Sequence, residues 1–496
     1  AQVAATVGSS GRHEPRPAML RKLRRATAGG PRQWLPKGLL SERNVLCSFG
    51  LSILGAFVST VAHGHIFTAY IFEIFGDNSS VGLVESVAGA TALVTAVPVG
   101  IAVDKIARTK LLRGCAVIGL FAAVLGAFTV LLGPFVVGDS SAARGERQGP
   151  GRSYTILLLS SLGLWGVFFN TASSASYALF ADSVPYGSRR RDMYATKSTL
   201  SMLALSAGPL LTLVCTFLLG NEWRLEQMSY MLLPGFCAMP LMCLLMTRFE
   251  EVRSPQLDEL RTGLLRDAPA SSPSATDVEA GATESNARRT DPAARAVPYL
   301  LLAAELIVSV GAGMTVKFFG LWFKNVFNFS PAGLAALQAT TPLAIALAVQ
   351  VLQRVARACP FGPVPAMLTF WMGSVVCLLA MTKVTDWRTL VVLHLLRTAL
   401  ANCKEPLARA ILADFIPSSQ RGRWNAVHSL TGMTWTGSAA LGGVLCDRYG
   451  YGKTFVITAG LYVVAALFWL PLIRLVPKEQ KKKEDSGDAD DKVKGA

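Results

Sequence analysis

The sequence predicts an all-α membrane protein: twelve transmembrane helices in two pseudo-symmetric halves of six. Three observations carry this prediction. The chain of 496 residues is 51% hydrophobic and 16% charged, where ordinary soluble proteins carry about 25% charged residues. Its apolar residues come in blocks near or above the roughly 18 residues that suggest a membrane span, with short basic loops between them. One pattern also occurs twice at a constant offset. Leu179 to Arg191 reads LFADSVPYGSRRR, and Ile411 to Arg423 reads ILADFIPSSQRGR. With Ala181-Asp182 set over Ala413-Asp414, Pro185 falls on Pro417, Arg189 on Arg421, Arg191 on Arg423 and Asn170 on Asn402. Chance rarely supplies so many matches in one register, and a duplicated helical unit in lipid is an architecture that secondary transporters use.

Residues 1–43 carry Arg21, Lys22, Arg24 and Arg25 without an apolar run, and are expected to form a basic cytoplasmic arm, with a targeting remnant as the alternative. Helix 1 is expected from Asn44 to Phe75, long enough for a tilt or a kink near Gly64. A tiny loop leads to helix 2, ending near Val103, and the basic loop Asp104 to Arg113 belongs in the cytoplasm. Helix 3 runs to about Val137, and a polar, Gly-rich outer loop follows it to Ser153. Helix 4 covers Tyr154 to Ala181, helix 5 Thr196 to Leu219, and helix 6 ends near Thr247, closing a six-helix unit over 44–247.

Residues 248–296 turn to Ser, Thr, Pro, Ala and mixed charge, too polar to offset the entropy of ordering. They are expected to form a disordered cytoplasmic linker. The second unit, 297–476, holds helices at Val297–Phe327, Pro331–Gln353, Val364–Thr382, Trp387–Phe415, Trp424–Cys446 and Thr454–Leu475. Residues 477–496 are a charged cytoplasmic tail. HIFTAYIFEIF (65–75) lies over KFFGLWFKNVF (317–327), and DKIAR (104–108) over QRVAR (353–357), so helices 1 and 7 correspond, as do the loops after helices 2 and 8. Both termini and the linker fall on the more basic, cytoplasmic side.

The net charge of +16 is spread over loops and termini, which sets topology rather than marking a nucleic-acid site. The nine Cys lie mostly within apolar segments and none has metal-ligand spacing. No metal, cofactor or structural disulfide is expected. No nucleophile–base cluster or phosphate loop appears, so an enzyme is not expected either.

GIAVDKIARTKLLR, Gly100 to Arg113, has a Gly, an Asp four residues on and then spaced basic residues. At this stretch, and over nearly the whole of helices 1 to 12, the chain resembles the major facilitator superfamily. The resemblance implies that fold, with helices 1, 4, 7 and 10 around a central cavity and helices 2, 5, 8 and 11 at its sides. Physically, Gly100 lets helix 2 approach a neighbour closely. Asp104 at a helix C-terminus needs a partner such as Arg108 or another helix's N-terminus. These loops are thus expected to act as a gating latch, with Gly100, Asp104, Arg108, Asp182 and Arg189 in the first half and Asp414 and Arg421 in the second; the alternative is that their charges merely fix topology. The match departs from the family at Ala107 and Gln353. On helix 5, Ser206 to Leu211 (SAGPLL) resembles the Gly-Pro motif of the drug antiporters, but Ala204 and Thr212 stand in place of its flanking glycines.

Ionisable residues deep in a span are costly and point to function. Helix 10 is the richest in them. Arg397 and Lys404, seven apart, share a face with Glu405, and Pro406 interrupts the backbone ladder beside them. The expected substrate-binding set is Arg397, Trp165, Asn170, Lys317, Asn402 and Lys404. Trp165 occupies the position in the first half that Arg397 holds in the second. The expected coupling set is Glu305, Glu405 and His65, with protons as the candidate ion. A structural ion cluster is the alternative role for Lys404 and Glu405, and Glu85, near the outer end of helix 2, is either functional or simply solvated. The balance of charges leans toward an organic anion or carboxylate. The expectation is a monomeric secondary transporter in the lipid bilayer, moving a small solute by alternating access. A receptor or scaffold on the same fold is the alternative.

Overall fold

The computed structural model describes residues 43–141, 150–184, 188–251, 294–416, 431–432 and 434–476. These are almost wholly helical. The helices are α1 (Arg43–Phe75), α2 (Asn78–Lys105), α3 (Arg108–Ser141), α4 (Arg152–Ser183), α5 (Ser188–Leu219) and α6 (Leu225–Met246), then α7 (Val297–Phe327), α8 (Pro331–Ala358) and α9 (Pro363–Met381). The next segment is broken into α10a (Trp387–Asn402) and α10b (Glu405–Phe415). A final run, Thr434–Leu475, is 42 residues long and turns at Gly450, whose φ of 82° divides it into α11 and α12. Ten segments of the described residues are long and apolar enough to cross a bilayer. Dividing the last at Gly450 and joining the two pieces of α10 brings the count to twelve.

Local chemistry sets the ends and breaks. Gly76, with φ 83°, closes α1, and the Asp77 carboxylate accepts from the Ser80 amide at 2.6 Å to cap α2. Ser330 and Asp386 cap α8 and α10a in the same way, through the Gly333 and Thr389 amides at 3.2 and 3.0 Å. The kink expected near Gly64 is present as a break between Val61 and His65. Pro406 offers no N–H to the Asn402 carbonyl, so the helix stops at Asn402 and restarts at Glu405, with the proline in its first turn. The basic loop expected over 104–113 is much shorter: α2 runs through Lys105 and α3 begins at Arg108, because both flanks keep helical hydrogen bonds outside the apolar band. Helix 5 likewise starts eight residues earlier than its apolar block, at Ser188.

The outer surface is apolar, with Phe217 80% and Leu218 78% exposed, as lipid-facing helices require. In the first lobe α3 packs on α4 and α6, α2 on α4, and α1 on α6; in the second, α7 packs on the α11–α12 segment, α9 on α10a, and α8 on α10a. The lobes meet where α2 packs on the α11–α12 segment, α5 on α8, and the outer piece of α1 on α7. Glycines allow the first of these contacts. A Cβ at Gly82 stands 2.3 Å from the Ala439 carbonyl oxygen, and one at Gly443 stands 2.2 Å from that of Asn78.

Candidate functional site

Cross-lobe hydrogen bonds and ion pairs cluster in the outer half of the molecule. Asp447 of the second lobe caps the start of α2 in the first. Its carboxylate accepts from the Asn78 amide at 2.9 Å, the Asn78 side chain at 2.8 Å, the Ser79 amide at 2.6 Å and the Ser79 hydroxyl. Tyr451 donates to Asn78 Oδ1 at 2.7 Å, and Trp223 Nε1 donates to the Phe329 carbonyl at 2.8 Å. Lys324 pairs with Glu73. Deeper, Lys317 Nζ lies 2.9 Å from Glu85, which also accepts from Thr68 at 2.8 Å and is 5% exposed. These contacts clasp the lobes at the outer face.

Below the clasp lies a cavity of about 320 Å³, at the lower end of the roughly 300–1,000 Å³ usual for small-ligand sites. Among the described residues His65 is its one lining residue from the first lobe; the rest come from α7, α8, α9, α10 and the α11–α12 segment. A smaller crevice shares Glu305 and Glu405 with it and lies along Leu301, Ala408 and Leu412 of α7 and α10b. Among the described residues the lobes are thus clasped on one side of the cavity, and the crevice lies on the other.

Arg397 dominates the cavity wall. It is 3% exposed, its Nη2 donates to the Tyr462 hydroxyl at 3.1 Å, and its guanidinium lies 5.0 Å from the Phe319 ring centre. Among the described residues no carboxylate pairs with it, and its buried Nε has no hydrogen-bond partner. Nearby, His394 Nδ1, Thr398 Oγ1 and His65 Nδ1 are likewise buried without partners. Lys404 is balanced by Glu305 at 3.4 Å and held between the rings of Trp371 and Trp469, at 4.8 and 5.4 Å. Glu405 is paired with Arg409 at 2.7 Å.

The cavity therefore gathers Arg397, Lys404, Asn402, Glu305, Glu405 and His65 from the residues singled out in the sequence. Others stand elsewhere. Lys317 is not in the wall; Glu85 holds it, with Trp435 at 5.2 Å. Trp165 does not face Arg397: it stacks on His63 at 4.3 Å, because equivalent positions in two lobes have different neighbours. Asn170 donates to the Ala92 carbonyl and to Thr95, both at 3.3 Å, tying α4 to α2. Among the described residues Gly100 makes no close approach, since none lies within 4 Å of where its Cβ would stand. The lobes are closed at the other end, and Gly82 and Gly443 carry the contact. Arg108 donates to the Ala178 carbonyl at 3.4 Å, while Glu251 accepts from the Arg108 and Thr109 amides at 3.3 and 3.0 Å. The side chains of Asp104, Asp182, Arg189 and Asp414, and all of Arg421, lie outside the described residues. Glu73, Asp447, Tyr451, His394 and Tyr462 were not singled out in the sequence, where only buried polar groups in apolar segments hint at the last two.

Two six-helix lobes clasped at one face around a central polar cavity define a multi-pass integral membrane protein of the solute-transporter class. The chain belongs to the Major Facilitator Superfamily, whose sequence profile matches residues 45–359 and 301–495. Among solved structures it is similar to the inward-open xylose transporter XylE from E. coli, with TM-score 0.60 and 14% identity over 88% of this chain and 97% of that one. A bacterial homologue of the iron transporter ferroportin, in its inward-facing state, gives TM-score 0.60 and 12% identity over 88% and 99%. The human organic anion transporter MFSD10 gives TM-score 0.51 and 16% identity over 86% and 99%. No curated protein sequence matches significantly. A sugar, a metal and an organic anion thus appear among the named solutes of one architecture, so the solute must be argued from the site.

Proposed function

We propose that this chain is a secondary transporter of a small organic anion, working by alternating access of its two lobes as a monomer. One observation carries the choice of solute: Arg397, 3% exposed, lines the cavity with no carboxylate partner among the described residues. A guanidinium out of water without a counter-charge is costly, and an anion entering the cavity supplies the missing partner. Arg also suits a carboxylate geometrically, because its planar fork can donate two parallel hydrogen bonds. Glu305 and Glu405 border the route to the cytoplasm and are the carboxylates best placed to carry protons in a coupled cycle. The loop residues Asp104 and Arg108 would latch the cytoplasmic ends in the opposite, outward-facing state.

Uptake of radiolabelled carboxylates into proteoliposomes tests this, with and without an imposed pH gradient. Arg397→Ala is expected to abolish uptake, and Asp104→Asn to slow it. Transport of sugars or amines that ignores Arg397→Ala would overturn the reading, and binding without uptake would favour a receptor on the same fold.

A further inference from the structure

The geometry points to a narrower solute class: a planar, apolar monoanion, with its single acid group on Arg397 and its body against the aromatic wall. This rests on the anion reading above and goes beyond it in charge and shape. Charge comes first. Along the cavity and its crevice stand three fixed cations, Arg397, Lys404 and Arg409, against two carboxylates, Glu305 and Glu405. Lys404 is matched by Glu305 and Arg409 by Glu405, at 3.4 and 2.7 Å. Lys317, farther out, is matched by Glu85. Among the described residues one positive charge is then left without a carboxylate partner, and it is at Arg397.

A monoanion neutralises that site without disturbing either pair. The second acid group of a dianion has two places to go. It can take Lys404 from Glu305, leaving a carboxylate unpaired in a half-buried site, or it can lie unpaired against the rings. Both outcomes strand a charge.

Shape comes second. Phe319, Trp371, Trp435 and Tyr462 all contribute to the wall. Their rings offer flat apolar faces, whereas three of the four unpartnered polar atoms of the wall, Arg397 Nε, His394 Nδ1 and Thr398 Oγ1, cluster on one short stretch of α10a, the fourth being His65 Nδ1. One polar end and an apolar remainder match a solute with one acid group on an aromatic or similarly flat skeleton.

The test is equilibrium binding to the purified full-length chain with four probes: benzoate, its neutral isostere benzamide, the flat dianion terephthalate, and acetate. Benzoate is expected to bind best. Benzamide, which loses the charge-assisted hydrogen bonds, should bind about 10- to 100-fold more weakly. Terephthalate should be weaker by about ten-fold or more, for the stranded charge. Acetate should be weaker because it lacks the apolar body. Glu305→Gln frees Lys404, so the ratio of terephthalate to benzoate affinity should rise about ten-fold. This gain does not depend on how a cavity arginine tolerates replacement. Arg397→Lys should retain part of the benzoate affinity and Arg397→Ala none. Terephthalate binding best in the unaltered chain, or a ratio unmoved by Glu305→Gln, overturns the monoanion class and leaves an anion transporter standing. Benzamide equal to benzoate, or no binding by any carboxylate at millimolar concentration, overturns both.

Discussion

Removing the Asp447 carboxylate should shift the protein toward its outward-facing state. Asp447→Ala deletes four hydrogen bonds, two of them to the Asn78 and Ser79 amides at 2.9 and 2.6 Å, which are orphan donors at the first turn of α2. A side-chain cap is worth about 0.5–2 kcal/mol, and a negative charge at a helix N-terminus adds about 0.3–1 kcal/mol. The Ser79 side chain is partly in water, so its bond is given little weight. The sum is about 1–3 kcal/mol, and the contact crosses between lobes, so it is lost when the outer face opens. The inward-to-outward ratio should therefore fall about 5- to 150-fold. Spectroscopic labels on unnatural amino acids at Glu222 and Lys383, exposed positions on the outer loops of the two lobes, avoid the nine native cysteines. The distance between them should gain a longer component in Asp447→Ala. An unchanged distribution would refute the clasp as a determinant of the resting state.

Other outcomes follow from the same geometry. Glu85→Gln leaves Lys317 without its partner, and the loss of one member of a buried pair should cost about 3 kcal/mol. A double-mutant cycle with Lys317→Met, read by thermal unfolding, should recover much of it. Gly82→Leu must push against the Ala439 backbone, with a Cβ contact of 2.3 Å, and should lower the melting temperature. Gly100→Leu meets none of the described residues within 4 Å of its Cβ and should leave that temperature unchanged while slowing uptake, if the α2 end packs tightly only in the outward-facing state. Partial burial pushes the Glu251 carboxyl up, but hydrogen bonds from Thr109 and Arg108 outweigh it and hold the group below the usual carboxylate range. Its capping contribution is thus complete above an ordinary glutamate pKa of about 4.3 and is lost as pH falls through the depressed value. Hydrogen exchange at the first amides of α3 should rise over that acid window in the native chain and lose the pH dependence in Glu251→Gln.

The parts of the fold legible in the sequence are those written in local patterns. Apolar block length sets the spans, Pro406 breaks helix 10, and the repeated Asp-Pro-Arg loops mark the duplication. Arg397 was legible too, because a charge in the middle of an apolar block has few innocent explanations. Partners at long range were not. Asp447 and Asn78 stand 369 residues apart, and nothing in either neighbourhood says that one caps the other's helix. The pairing of Lys317 with Glu85 is equally invisible, so Lys317 read as a group for the solute when another lobe already holds it. Helical spacing also cannot tell the neighbours of two equivalent positions apart: Trp165 and Arg397 share a register but face His63 and Tyr462 respectively.

The gap between α10a and α10b falls between Arg397 and Glu405, with Lys404 as its hinge residue. A continuous rod would have to carry its charged residues as one piece. Interrupted at this point, the strut carries Arg397 on its upper arm and Glu405 on its lower one, with Lys404 fixed between them by Glu305 and two tryptophan rings. A change of angle at that joint would move Glu405 against Arg397 and strain the Lys404 anchorage, a coupling that a straight rod would not provide.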